Sequence, residues 1–256
     1  MTGLETTEFI DNENIIPVVQ MNIIVNDKII EVALLGNEKT IQMIRILVPN
    51  LERELVTAED LRIIQVLKEH MMSILRLNYD PTVNSAVNVH NFRKSNEYPN
   101  LSFTLQTVIN IDFDVRNNMI IGSYLNSFDI RNQLKLLSDS TREEIPIQYR
   151  FLSLYKLLEL EFKVEGSWNL NFSLYIEEFN EEFQSLNIST RKLENYIHEQ
   201  RDKCAHIKSN KDILGITELS QKDLITLDSF FPLMRKISIL IINRRYSNEI
   251  FGIQIN

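Results

Sequence analysis

The sequence predicts an α+β fold: an N-terminal mixed α/β region with antiparallel strands, followed by a C-terminal all-α bundle. Three observations predict it. Runs rich in isoleucine and valine, of strand length and divided by turn residues, dominate the first half. Beyond about residue 140 the apolar residues recur at spacings of three and four. The chain of 256 residues is 44% hydrophobic and 24% charged, which suits a folded protein with room for two domains. We therefore expect a mixed α+β domain over residues 1–139 and a helical domain over residues 140–256.

Ile15 to Val25 and Ile29 to Leu35 read as strands, with Asn26-Asp27 as the turn of a hairpin. A third strand is expected from Thr40 to Val48, between Gly36-Asn37 and Pro49. The period then lengthens. Leu61, Ile64, Leu67 or Lys68, Met71, Met72 and Leu75 define a helix capped by Thr57, with Glu59 and Asp60 in its first turn and a stop near Asp80-Pro81. Thr82 to Asn100 is rich in Asn and Ser and reads as an exposed connection. Leu101 to Val115 alternates as a strand, and Met119 to Leu125 is a further strand candidate.

In the second half, Ile145 to Lys163 aligns Phe151, Leu154, Tyr155, Leu158 and Phe162 on one helical face. Ser189 to Cys204 forms the next helix, with Leu193, Tyr196, Ile197 and Cys204 as its apolar stripe and Ser189 as its cap. The last long helix starts after Ser220, with Asp223 as capping-box partner. It is apolar on most sides from Ile237 to Ile242, so it requires neighbours all round, as the centre of a bundle or partly as an oligomer face. Pro232 is expected to kink or interrupt it.

Charge and motifs narrow the function. The net charge of −8 argues against binding nucleic acid through bulk electrostatics, so any such contact must be local. The acidic start lacks the basic and apolar segments of a secretory signal, no stretch reaches the ~20 residues of a membrane span, and the single cysteine excludes an internal disulfide framework. A cytoplasmic protein without membrane association is expected. Gly36-Asn-Glu-Lys-Thr40 lacks the glycines of a phosphate loop. Asp112 and Asp114 share a strand face, a pattern common on solvated strands that also suits a divalent cation. His198 and Asp202 lie four apart without an evident third metal ligand. Cys204 lies on an apolar stripe and reads as an inert buried thiol. No metal or cofactor is expected.

The segment Arg201-Asp-Lys-Cys-Ala-His206 carries most of the functional signal. Histidine moves protons near neutral pH, and arginine offers a fixed fork of donors to phosphoryl oxygens as charge builds on them. These are the tools for cleaving RNA without a metal. Arg191, Lys192, Lys203, Lys208 and Lys211 add a basic cluster on an acidic chain. Five positions along a regular helix rotate His206 about 140° from Arg201. Either the helix must change course before His206 or a two-fold partner must complete the site.

With Arg201, polar Asp202 and His206 in this arrangement, and the helix IPIQYRFLSLYKLLELE upstream, residues 140–256 resemble the HEPN superfamily, in particular its Apea-like branch. Asp202 stands where asparagine is frequent in that family. The resemblance implies a helical bundle and a homodimeric endoribonuclease whose two motif copies meet in a cleft. Arg201, Asp202 and His206 would then be the catalytic residues, and Lys203 and Lys208 would contact RNA. It further implies an antiviral or toxin–antitoxin setting, with an antitoxin or sensor protein as partner, and a sensing or substrate-selecting role for residues 1–139. A non-catalytic HEPN-like dimerisation or adaptor module is the alternative. Metal-dependent phosphotransfer at Asp112 and Asp114 is a third, weaker possibility.

Overall fold

The computed structural model describes residues 16–25, 27–37, 40–51, 57–78, 88–93, 101–112, 117–168, 172–189, 193–205 and 219–246. The fold is α+β, and the chain divides into two compact units. The first comprises residues 1–72 and 83–125, the second residues 73–82 and 126–256, with the last crossing between Leu125 and Asn126. Among the described residues, no helix is long and apolar enough to cross a membrane.

The first unit is built on a five-stranded antiparallel sheet of β1 (Ile16–Val25), β2 (Lys28–Gly36), β3 (Thr40–Leu51), β4 (Asn88–Arg93) and β5 (Leu101–Asp112), in the order β1-β2-β3-β5-β4. The first two strands form the expected hairpin. Val25 pairs with Lys28, and Asp27 takes a positive φ of 62°, as a two-residue turn demands. Cross-strand rows such as Met21–Val32–Ile46–Leu105 bury one face of the sheet. The other face buries Ala33, Leu35 and Met43. It also carries a polar chain in which Gln20 and Arg45 both donate to the Glu31 carboxylate, at 2.8 and 2.6 Å. Covered on both sides, β2 therefore reads as an almost continuous apolar run.

Two expectations fail here. Asn88–Arg93 is a strand inside what the sequence presented as an exposed connection. Among the described residues it is an edge strand that pairs with β5 alone, and backbone hydrogen bonding sustains it without an apolar alternation. Met119 to Leu125 is not a strand but lies within helix α2 (Asn117–Asn126). A short apolar run has no decisive period. Tyr124 instead anchors it to α1 (Ala58–Asn78): its hydroxyl donates to the Leu67 carbonyl at 3.1 Å, and its own carbonyl lies 2.9 Å from the His70 ring.

The start of α1 is as the sequence indicated. Thr57 Oγ1 accepts from the Asp60 amide at 3.1 Å, and the Asp60 carboxylate accepts from the Thr57 amide at 3.1 Å, a reciprocal capping box. Lys28 adds an ion pair to the same carboxylate. Gly36 has a different constraint. A Cβ placed there would lie 2.0 Å from the Thr40 carbonyl oxygen, because the chain closes on itself between β2 and β3, where Asn37 donates to Thr40 at 3.0 Å.

The second unit contains α3 (Arg131–Thr141), α4 (Ile147–Phe162), α5 (Phe172–Ile176), α6 (Asn180–Ser185), α7 (Leu193–Ala205) and α8 (Gln221–Tyr246). Helix α4 touches α3, α7 and α8, and buries Phe151, Leu154, Tyr155, Leu157, Leu158 and Phe162. Every residue of α8 from Ile237 to Ile242 is buried within this chain, so that stretch is bundle core and needs no oligomer face. Pro232 does not interrupt α8, which runs on for 26 residues. The capping box at its start is present, with Ser220 accepting from the Asp223 amide at 3.2 Å and donating to its carboxylate at 2.6 Å.

This half is not purely helical. Two-residue strands β6 (Lys163–Val164) and β7 (Ser167–Trp168) pair through a turn in which Glu165 and Gly166 both have positive φ, 49° and 85°. The ribbon directs Trp168 onto Tyr155 and Phe172, at centroid distances of 6.1 and 5.3 Å. At the far end of α4 the Glu161 carboxylate is buried. It accepts from Gln133 at 2.9 Å and from the Tyr246 hydroxyl at 2.8 Å, and it pairs with Arg245 at 3.1 Å, fastening α3, α4 and α8 together.

Gly36→Ala should destabilise the protein by about 1–3 kcal/mol in urea titration, since backbone rather than a flexible side chain occupies the space a Cβ needs. Burial pushes the Asp60 carboxyl upward, but the bonds from Lys28 and Thr57 outweigh it and hold the group below its ordinary 3.8. The stability this group contributes is therefore complete above about pH 4 and declines as pH falls through the lowered folded value. Denaturation midpoints measured across the acid range should fall less steeply in Asp60→Asn than in the parent.

Candidate functional site

Helix α7 buries Leu193, Ile197, Gln200 and Cys204 on one side. That spacing of four, three and four leaves His198, Arg201 and Asp202 on another. Three and four residues along a helix return to within about 60° and 40° of the starting direction, so these three side chains share a face. Their side chains are 53%, 34% and 42% exposed, open enough to meet a ligand and restrained enough to hold a geometry.

The contacts are specific. Arg201 Nη1 donates to Asp202 Oδ1 at 2.8 Å, and His198 Nε2 lies 3.5 Å from Asp202 Oδ2. One carboxylate thus stands between a guanidinium and an imidazole. From α4, the Tyr155 hydroxyl reaches His198 Nδ1 at 3.1 Å, and the Arg201 guanidinium lies 5.7 Å from the centre of the Tyr155 ring. Glu159, one turn along α4 from Tyr155, accepts from Lys163 at 2.7 Å. The stripe Tyr155–Glu159–Lys163 therefore faces the stripe His198–Arg201–Asp202. An open depression of about 400 Å³, lined by Leu136, Lys156, Glu159, Leu160, Lys163 and Gly166, adjoins the cluster through Glu159 and Lys163.

The charges of the cluster reinforce one another. The hydrogen bond that Arg201 donates to Asp202 raises its pKa above the usual value, so this guanidinium is a permanent cation. Burial, with Glu159 nearby, raises the Tyr155 hydroxyl above 10.0, so it keeps its proton at neutral pH. The bond to Glu159 likewise raises Lys163. A fixed cation, an ionised carboxylate and an imidazole on one accessible surface can bind a phosphate group and move a proton beside it.

Of the residues singled out from sequence, Arg201 and Asp202 come together. Lys203 lies in the same turn but is shared by Asp223 at 3.2 Å and Glu199 at 3.9 Å, a link from α7 to the start of α8. His206 and Lys208 lie outside the described residues, as do Arg191, Lys192, Lys211 and Asp114. Asp112 belongs to β5 in the first unit. Among the described residues, no three His, Cys, Asp or Glu side chains group as metal ligands. Sequence reasoning assigned Tyr155 wholly to the core and gave His198 only as half of a metal pair and as the end of a looser Arg191–His198 spacing. The helical phase linking His198 to both Arg201 and Asp202 was the available signal.

No protein-family model, curated protein or solved structure matches this chain. The chemistry of the cluster has to speak for itself.

Cys204 shows how sharply the two sides of α7 differ. Burial pushes its thiol up to about 12. Thiolate is the reactive form, so alkylation by iodoacetamide at pH 8, followed by mass spectrometry, should be negligible in the folded protein and rapid in denaturant.

Proposed function

We propose that the protein is a metal-independent endoribonuclease acting as a homodimer with a composite Arg/His site. One observation carries this reading: Arg201, one-third exposed and oriented by Asp202, shares an accessible helix face with an imidazole. A guanidinium fork neutralises two phosphoryl oxygens at once, and it matters most when a third negative charge develops on the pentavalent phosphorus. Histidine supplies the proton transfer that attack by the ribose 2′-hydroxyl requires. The order Arg201, Asp202, His206 supports the same reading through its likeness to the HEPN motif. In this reading Arg201 holds the scissile phosphate, Asp202 orients it, and His206 assists attack or stabilises the phosphorane.

Helix geometry supports the two-fold arrangement unless the chain changes course before His206. His206 is out of phase with Arg201 on a regular helix, and a second copy brings a second set of both residues into a shared cleft. Lys203 and Lys208 would extend the contact along the RNA backbone, with Lys203 exchanging a carboxylate for a phosphate. The setting we propose is cytoplasmic and bacterial, in antiviral defence or a toxin–antitoxin pair, with the first unit as sensor or substrate selector and an antitoxin or sensor protein as partner. The net charge of −8 would confine RNA to the basic cleft.

The test is RNA cleavage in EDTA. We expect products ending in a 2′,3′-cyclic phosphate, and we expect Arg201→Ala and His206→Ala each to lower the rate by about 10²–10³-fold while circular dichroism stays unchanged. Full activity in both variants would remove the motif from the reaction. A dimer inert on every RNA tested would instead identify a non-catalytic dimerisation or adaptor module.

A further inference from the structure

Phe231 brings together two arginines that the ribonuclease reading does not use. Arg150, half-buried in the opening turn of α4, lays its guanidinium 4.7 Å from the centre of the Phe231 ring. Its Nε donates to the Ser140 carbonyl, near the end of α3, at 2.8 Å. The group is thus held at one edge and over one face, and its two Nη nitrogens are left as a fork. Arg235 follows Phe231 by four residues on α8 and reaches the surface. Side chains four apart share a helix face, and each leans back toward the helix N-terminus, so Arg235 extends over Phe231 toward Arg150.

The pair lacks a counter-charge. Among the described residues, neither guanidinium is ion-paired with a carboxylate. The acids of the segment before α4 do not supply one: Glu144 pairs with Arg142 at 2.7 Å, and Glu143 is exposed. No acidic side chain lies in the first turn of α4, where the helix dipole already disfavours a cation. Desolvation, and after it the charge of Arg150, holds Arg235 below the usual guanidinium value. Stacking on Phe231 and the bond to Ser140 account for Arg150, but they do not account for a second cation beside it. Both charges are kept against electrostatic repulsion, on a chain whose net charge is −8.

We propose that Arg150 and Arg235 form a binding site for a phosphomonoester dianion, with the Arg150 fork on two phosphoryl oxygens and Arg235 on the third. Two positive charges without a carboxylate match the two negative charges of a terminal phosphate, whereas a diester of the RNA backbone brings one. A guanidinium already fixed by stacking and by one hydrogen bond loses little freedom when it binds, which favours planar two-point contact. Neither arginine belongs to the cluster around Arg201, so the site does not depend on the ribonuclease reading. A free mononucleotide and a 5′-phosphorylated RNA end present the same group to it.

The full-length protein in phosphate-free buffer at pH 8 is titrated with inorganic phosphate, and binding is read by calorimetry and by Tm, against sodium chloride of matched ionic strength. Phosphate should bind saturably and raise Tm, and chloride should not. Arg235→Gln should weaken phosphate binding about tenfold, yet raise Tm in phosphate-free buffer because it removes a repulsion. Arg150→Lys, which keeps the charge and loses the fork, should weaken binding by a similar factor. AMP and a 5′-phosphorylated RNA oligonucleotide, protected from cleavage by 2′-O-methylation, then compete with phosphate, and the tighter of the two identifies the source. Absence of saturable phosphate binding in the parent, or parental affinity in either variant, would overturn the site. A lowered Tm of Arg235→Gln without phosphate would make Arg235 a structural residue and equally overturn it. So would equal competition from the 5′-hydroxyl form of the oligonucleotide, since backbone diesters would then suffice.

Discussion

Burial of α4 against α3, α7 and α8 is the constraint on which the second unit depends. The solvent side of α4 carries Tyr149, Lys156 and Leu160, and half-buried Glu159, which accepts from Lys163 just past the helix, continues the line of buried Tyr155 toward water. Tyr155 is 1% exposed, yet its hydroxyl bonds a histidine that is half in solvent. The hydrophobic core therefore ends in a polar tip that sets a surface group. Buried aromatic residues with a polar atom suit such boundaries, because the ring is fixed by packing and the hydroxyl inherits that rigidity. A comparable logic holds at the other end of α4, where the Glu161 carboxylate accepts from Gln133 and Tyr246 and pairs with Arg245.

Much of the fold was legible in the sequence because the strongest signals are local. The β1–β2 hairpin followed from two isoleucine-rich runs around a two-residue turn, and α1 from Thr57, Asp60 and a period near 3.6. The apolar face of α4 was read residue by residue, with only Leu157 added by the structure. Misreadings arose where a long-range contact decides. β4 owes its existence to the edge of β5, and α2 is fastened through Tyr124 to backbone more than fifty residues away in sequence. Neither contact leaves a local period. Helix α8 also runs on through Pro232, with buried residues on both sides of the proline.

The candidate site was partly legible for a related reason. Arg201 and Asp202 stood out by residue type, and adjacency brought them together in the structure as well. The partnership of His198 with Tyr155 joins residues 43 positions apart on different helices. A motif defined by spacing along one segment has no means of registering it. Residue chemistry thus located the neighbourhood, and tertiary packing supplied the member that organises it.

Asp223 does two jobs: it closes the capping box of α8 with Ser220 and serves as counter-ion to Lys203 of α7. The two duties constrain each other's sign. Exchanging the charges, with lysine at 223 and aspartate at 203, would preserve the attraction between the helices but set a cation against the positive pole of the α8 dipole and abolish the cap. The pair is directional, so substitutions at these two positions cannot compensate by simple reversal.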